Sequence, residues 1–252
     1  MKKLMFVAAT VAAGVAMAVE SQVVGYLGKD AVANLNWYAP QFTDVGKTTT
    51  DINAIKLDDG GAGMVGWGDV LQVADPLGSP AASYLYWDPS MDPAEEATEC
   101  YWGDGDCNPV DVSFDKADGF AFDNMNAMEF KIVDAGEVID EKVQFAAAAN
   151  LNWFGNPFAA PININAIKLD DAGAGMVGWG DVLQIADPFG SPAASYLYWD
   201  PSMDPAEEAT ECYWGDGDCN PVDVTFKSGE AFAIDNMNAM EFDIIVECPY
   251  SL

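Results

Sequence analysis

Val110-Asp111-Val112-Ser113-Phe114 and Met128-Glu129-Phe130-Lys131-Ile132 alternate strictly between apolar and polar side chains. That is the period-two pattern of a strand with one buried face. Asp69 to Asp75, Ser83 to Trp87 and Phe120 to Asp123 are shorter runs rich in Val, Leu, Tyr, Trp and Phe, which suit a pleated, half-buried surface. Turn formers stand between them: Asp59-Gly60-Gly61, Asp75-Pro76, Gly78-Ser79-Pro80, Trp87-Asp88-Pro89 and Gly103-Asp104-Gly105. Strands at this spacing predict an all-β, antiparallel sandwich or barrel rather than α/β units.

The pattern is written twice. Ile52 to Phe130 recurs as Ile164 to Phe242 at a constant offset of 112, and ten positions differ. So long a period means two whole domains rather than an array of small units. Outside one segment, most differences are apolar swaps of the kind cores tolerate, such as Val73/Ile185 and Phe122/Ile234. The exception is Asp115-Lys116-Ala117-Asp118-Gly119, which becomes Lys227-Ser228-Gly229-Glu230-Ala231, a charge reversal expected at an exposed turn. The predicted architecture is two tandem antiparallel β-sandwiches, jelly-roll or Ig-like, over residues 19–135 and 136–252. Asp134-Ala135-Gly136-Glu137 is read as the turn between them. No Gly/Ser/Pro-rich linker separates the copies, so they should abut. The entry segment from Trp37 to Ile52 is four residues longer than that from Trp153 to Ile164. One short helix per copy is expected, capped by Asp92 or Asp204 with proline at its first position.

Residues 1–18 read as an export signal: basic Lys2-Lys3, apolar Leu4 to Val15, and Ala16-Met17-Ala18 for cleavage. The apolar run is shorter than the roughly 18 residues a membrane span needs, and no span is expected elsewhere. The chain is therefore placed outside the cytoplasm, at the cell surface or beyond it, with the periplasm as the alternative. Its formal charge is −31, with no histidine; loss of Lys2 and Lys3 leaves eight lysines against 41 carboxylates. Nucleic acid is excluded as a partner, because phosphate contacts need clustered basic residues.

Several motifs invite chemistry. Cys100 and Cys107, with Cys212 and Cys219, read as one local disulfide per copy in an oxidising compartment. Cys248 has no counterpart and could link two chains. Asp104, Asp106, Asn108 and Asp111, with Asp216, Asp218, Asn220 and Asp223, resemble part of a calcium loop. Proline replaces the turn glycine of that loop, so only a looser calcium site is open to them, against a solvated acidic tip. Gly61 to Gly66 and Gly173 to Gly178 match G-x-G-x-x-G but precede a strand, so they read as hairpin loops rather than cofactor sites. Tyr84, Tyr86 and Trp102, with Tyr196, Tyr198 and Trp214, could stack on sugar rings or fill the core. Without histidine, no Ser–His triad can form, and no catalytic residue is assigned.

Leu151-Asn152-Trp153-Phe154-Gly155-Asn156-Pro157-Phe158, then Tyr196-Leu197-Tyr198-Trp199-Asp200 and Gly229-Glu230-Ala231-Phe232, resemble the repeats of exported bacterial surface proteins built from tandem β-sandwiches. The first copy departs from that opening at Tyr38-Ala39-Pro40-Gln41-Phe42. The resemblance implies a structural or adhesive, non-catalytic role, with cell-surface or matrix components as partners. A pair of carbohydrate-binding modules presenting Trp and Tyr to glycans is the alternative.

Overall fold

The structure, a computed structural model, describes residues 24–58, 60, 67–74, 80–88, 99–125, 130–172, 181–186, 191–200, 211–237 and 242–250. The export signal, both glycine-rich segments and the expected helices after Asp92 and Asp204 lie outside the described residues. The first copy contributes β1 (Val24–Ala31), β2 (Asn34–Tyr38), β3 (Phe42–Thr43), β4 (Thr49–Asp51), β5 (Lys56–Asp58), β6 (Trp67–Ala74), β7 (Pro80–Trp87), β8 (Tyr101–Gly103), β9 (Ser113–Asp115), β10 (Phe120–Asn124) and β11 (Phe130–Val138). The second contributes β12 (Val143–Ala147), β13 (Asn150–Gly155), β14 (Ile162–Asn163), β15 (Ile167–Asp170), β16 (Val182–Ala186), β17 (Pro192–Trp199), β18 (Tyr213–Gly215), β19 (Thr225–Phe226), β20 (Ala231–Asn236) and β21 (Phe242–Val246).

The chain is all-β and antiparallel. Each copy builds a five-stranded sheet, β2-β10-β6-β7-β8 or β13-β20-β16-β17-β18. Each also builds a smaller one. In the first copy, β11 lies between β1 on one side and β5 and β3 on the other. In the second, β21 lies between β12 and β15. The period-two pattern explains the burial. Along β11, Phe130 and Ile132 are buried while Lys131 is exposed. The first apolar cluster draws Ala31, Leu57, Phe130 and Ile132 from the smaller sheet, and Leu71, Tyr86, Trp102, Phe120 and Phe122 from the larger. The second repeats this with Leu169, Phe242 and Ile244 against Leu183, Tyr198, Trp214 and Phe232. The predicted strand at Val110–Phe114 is shorter than its alternation suggests. Only Ser113–Asp115 is strand, because Val110 donates its N–H to Trp102 O and closes a turn instead.

The whole reads as a four-bladed, propeller-like arrangement and not as the two free-standing sandwiches expected. The copies are not insulated from each other. Tyr38 bridges Glu230, and at the equivalent place Asp118 bridges Phe154. Ala39 N donates to Gly229 O at 3.2 Å, and Gly155 N donates to Ala117 O at 3.0 Å. The tip of each copy thus meets the entry strand of the other, the reciprocity of an isologous dimer interface. Trp37 and Trp153 stack at this joint, ring centroids 4.2 Å apart and planes 6° from parallel. Ala117 of the first copy is buried in the second copy's apolar cluster.

Two sequence expectations are corrected here. The divergent segments 115–119 and 227–231 are not merely exposed turns; they are the tips that form the joint. A Cβ on Gly119 would lie 2.8 Å from Phe154 N, and one on Gly155 would lie 2.5 Å from Glu230 O, so both close approaches require glycine. The boundary at 135/136 falls inside β11, where Ala135 pairs with Tyr26 and Gly136 with Gly25. The segment stays extended because Asp134 Oδ2 accepts from Gln41 N at 2.7 Å. Gly136 also leaves room for Thr43 O, 2.2 Å from where its Cβ would stand. Ile139, just past the end of β11, packs in the second apolar cluster.

The stacked tryptophans predict a coupled pair. Trp37→Ala and Trp153→Ala should each lower the urea midpoint, and a double-mutant cycle should return a coupling of about 0.5–1.5 kcal/mol. Additive single effects would show that the stack contributes nothing beyond burial.

Candidate functional site

The acidic tips are hydrogen-bonded turns. Asp104 Oδ1 accepts from Asp106 N at 2.9 Å and from Asn108 N at 3.0 Å, and Asn108 Nδ2 reaches both carboxylate oxygens at 3.2 Å. Asp216 repeats this with Asp218 and Asn220. These bonds hold the Asp104 and Asp216 carboxyls below the usual carboxylate range, the Asn108 and Asn220 amides contributing most. The lone pairs expected to face calcium are directed at the chain's own N–H groups. Asp106 and Asp111 are exposed, and Asp223 accepts from Asn163 Nδ2. Among the described residues, no group of three or more His, Cys, Asp or Glu side chains is arranged to hold a metal.

The aromatic candidates divide. Tyr86, Trp102, Tyr198 and Trp214 are core residues, so they are covered rather than offered to a sugar. Trp102 Nε1 donates to Ile55 O, and Trp214 Nε1 to Ile167 O, both at 2.8 Å. Tyr84 and Tyr196 are half-buried and pack against the same clusters. The five cysteines are unbonded thiols, so the Cys100–Cys107 and Cys212–Cys219 bonds expected from spacing are not formed in the structure. Cys100 and Cys212 pack against the apolar clusters, and burial raises their thiols. Cys107 and Cys219 sit in the acidic tips at φ near +60°. Cys248 Sγ lies 3.0 Å from Tyr250 O beside the second core. Among the described residues, no helix is long and apolar enough to cross a membrane.

What the sequence reading missed lies at the joint. Lys29 Nζ donates to Trp37 O at 2.7 Å and to Gly229 O at 3.0 Å, stapling one copy to the other. It stands 5.9 Å over the Tyr38 ring. Burial lowers its ammonium to about 8, against the raising effect of Glu230. The strand registers place Phe145 where the first copy has Lys29, since Lys29 pairs with Ile132 and Phe145 with Ile244. Phe145 packs on Phe154 at 5.0 Å, just as Lys29 packs on Tyr38. The signal lay in these unlike residues at equivalent positions, outside the block of near-identity.

A polar cluster is buried next to it. Tyr38 Oη, Gln41 Oε1 and Asp134 Oδ1 are enclosed together, with the phenol facing both the amide and the carboxyl. The second copy has Phe154, Pro157 and Val246 there. Among these three oxygens only the phenol carries a proton, so protonation of Asp134 would add the second donor that the group lacks. Burial raises Asp134 to about 6; burial, then the Asp134 charge, raises Tyr38 well above the usual phenol value. Beside the staple, a cavity of about 380 Å³ opens between the copies, lined by Lys29, Leu35 and Trp37 on one side and Ile185, Phe226 and Glu230 on the other. No protein family, curated protein or solved structure matches the chain.

Asp134 sets a pH dependence. Its folded value lies above the ordinary 3.8, so the folded chain holds this proton more tightly than the unfolded one. Stability from this group therefore rises as pH falls from about 6 toward 4, and the charged form destabilises by on the order of 3 kcal/mol above that window. Asp134→Asn keeps an acceptor for Gln41 N and adds a donor. It should raise the denaturation midpoint at pH 7.5 and flatten the profile between pH 4 and 6; an unchanged profile would refute this account.

Proposed function

We propose that the chain is an exported, non-catalytic tandem β protein with a structural or adhesive role at a cell surface. The observation that carries this reading is the use made of its aromatic side chains. Tyr86, Trp102, Tyr198 and Trp214 fill two duplicated cores, and Trp37 and Trp153 close the joint between them. That arrangement favours a rigid scaffold over a pair of open sugar platforms. The partners proposed are surface or matrix components, met by the acidic exterior.

Cell fractionation tests the reading directly. The protein should be recovered outside the cytoplasm, lacking residues 1–18 and open to added protease in intact cells. Cytoplasmic recovery with Met1 retained would overturn it.

The acidic charge also gives calcium a diffuse role at the surface. The melting midpoint should rise more in CaCl₂ than in NaCl of matched ionic strength, because divalent counterions relieve self-repulsion better. The difference should survive Asp104→Ala and Asp216→Ala together. Loss of the difference in that variant would instead place a discrete ion at the tips.

A further inference from the structure

We propose that the cavity at the joint is a binding site for a small zwitterion with an apolar side chain, the chemistry of a free aliphatic α-amino acid. Its volume of about 380 Å³ falls within the range of small-molecule pockets. The walls are apolar on both sides: Leu35 and Trp37 from the first copy, Ile185 and Phe226 from the second. Two opposite charges line it, Lys29 and Glu230. They attract one another, yet among the described residues the ion pairs are Lys47–Asp44, Lys116–Glu141 and Lys131–Asp30. Lys29 and Glu230 are left facing the same space without closing on each other.

Each group has capacity to spare. An ammonium carries three donors, and Lys29 uses two on Trp37 O and Gly229 O. The third can meet a carboxylate. Glu230 Oε2 accepts from Lys227 N at 2.7 Å, and Oε1 can accept from an ammonium. A ligand with only a carboxylate would meet the repulsion of Glu230 and of the chain's formal charge of −31. A ligand with only an amine would meet Lys29. A zwitterion satisfies both, and charge-assisted hydrogen bonds are the strong ones. The site is single, because Phe145 stands at the position equivalent to Lys29 and packs on Phe154. This inference does not rest on the structural or adhesive reading and would hold under another function.

Calorimetric titration of the full chain with L-leucine tests it. The expected result is one site per chain. 4-Methylpentanoate, which lacks the ammonium, and isoamylamine, which lacks the carboxylate, should each bind at least about tenfold more weakly. Glycine, which lacks the side chain, should bind more weakly too. Lys29→Met should abolish binding, but it also removes the staple. Ala186→Phe therefore fills the cavity from the other wall without touching either charge, and it should abolish binding with the urea midpoint preserved. Absence of L-leucine binding, equal binding of 4-methylpentanoate, or undiminished binding in a folded Ala186→Phe protein would each overturn the proposal.

Discussion

The contact between the tip of each copy and the entry strand of the other decides how the rest is arranged. It is a short-range, backbone-led contact. Gly155 N meets Ala117 O, Ala39 N meets Gly229 O, and the Trp37 and Trp153 rings close face to face. Backbone pairing of this kind demands close approach, which is why Gly119 and Gly155 stand where any Cβ would collide. Once it forms, the smaller and larger sheets of both copies are held in one body, and the positions of Lys29, Glu230 and the cavity follow.

The joint also explains where the duplication has diverged. Half of the ten differences within the repeated block fall in 115–119 and 227–231. Those tips press against entry strands that differ as well, Tyr38-Ala39-Pro40-Gln41 in one copy and Phe154-Gly155-Asn156-Pro157 in the other. A tip can change only with the strand it faces. The cores change only by apolar swaps such as Phe122/Ile234 and Val73/Ile185. The result is a near-symmetric scaffold with an asymmetric seam, in which one half carries Lys29, Tyr38, Gln41 and Asp134 and the other carries Phe145, Phe154, Pro157 and Val246.

Much of the scaffold was legible in the sequence. Period-two burial at Phe130 and Ile132, the strands around Ser83–Trp87 and Phe120–Asp123, and the all-β class follow from local side-chain pattern. What was not legible depended on contacts far apart in the chain. Asp134-Ala135-Gly136-Glu137 has turn composition, yet stays extended because Gln41 and Thr43 lie against it. Asp104 and Asn108 carry ligand-type oxygens, but local N–H groups claim the Asp104 carboxylate first. The seam residues were hidden because attention to a repeat favours what is the same, whereas Lys29 and Asp134 matter through what stands opposite them.

Covalent linkage changes the character of the seam. Two separate chains meeting through so few backbone bonds and one aromatic stack would associate in proportion to their concentration and fall apart on dilution. Here only residues 139–142 separate β11 from β12, so each half meets the other at an effective concentration fixed by a short tether rather than by the surroundings. The two halves, and the cavity between them, thereby stay assembled at any dilution.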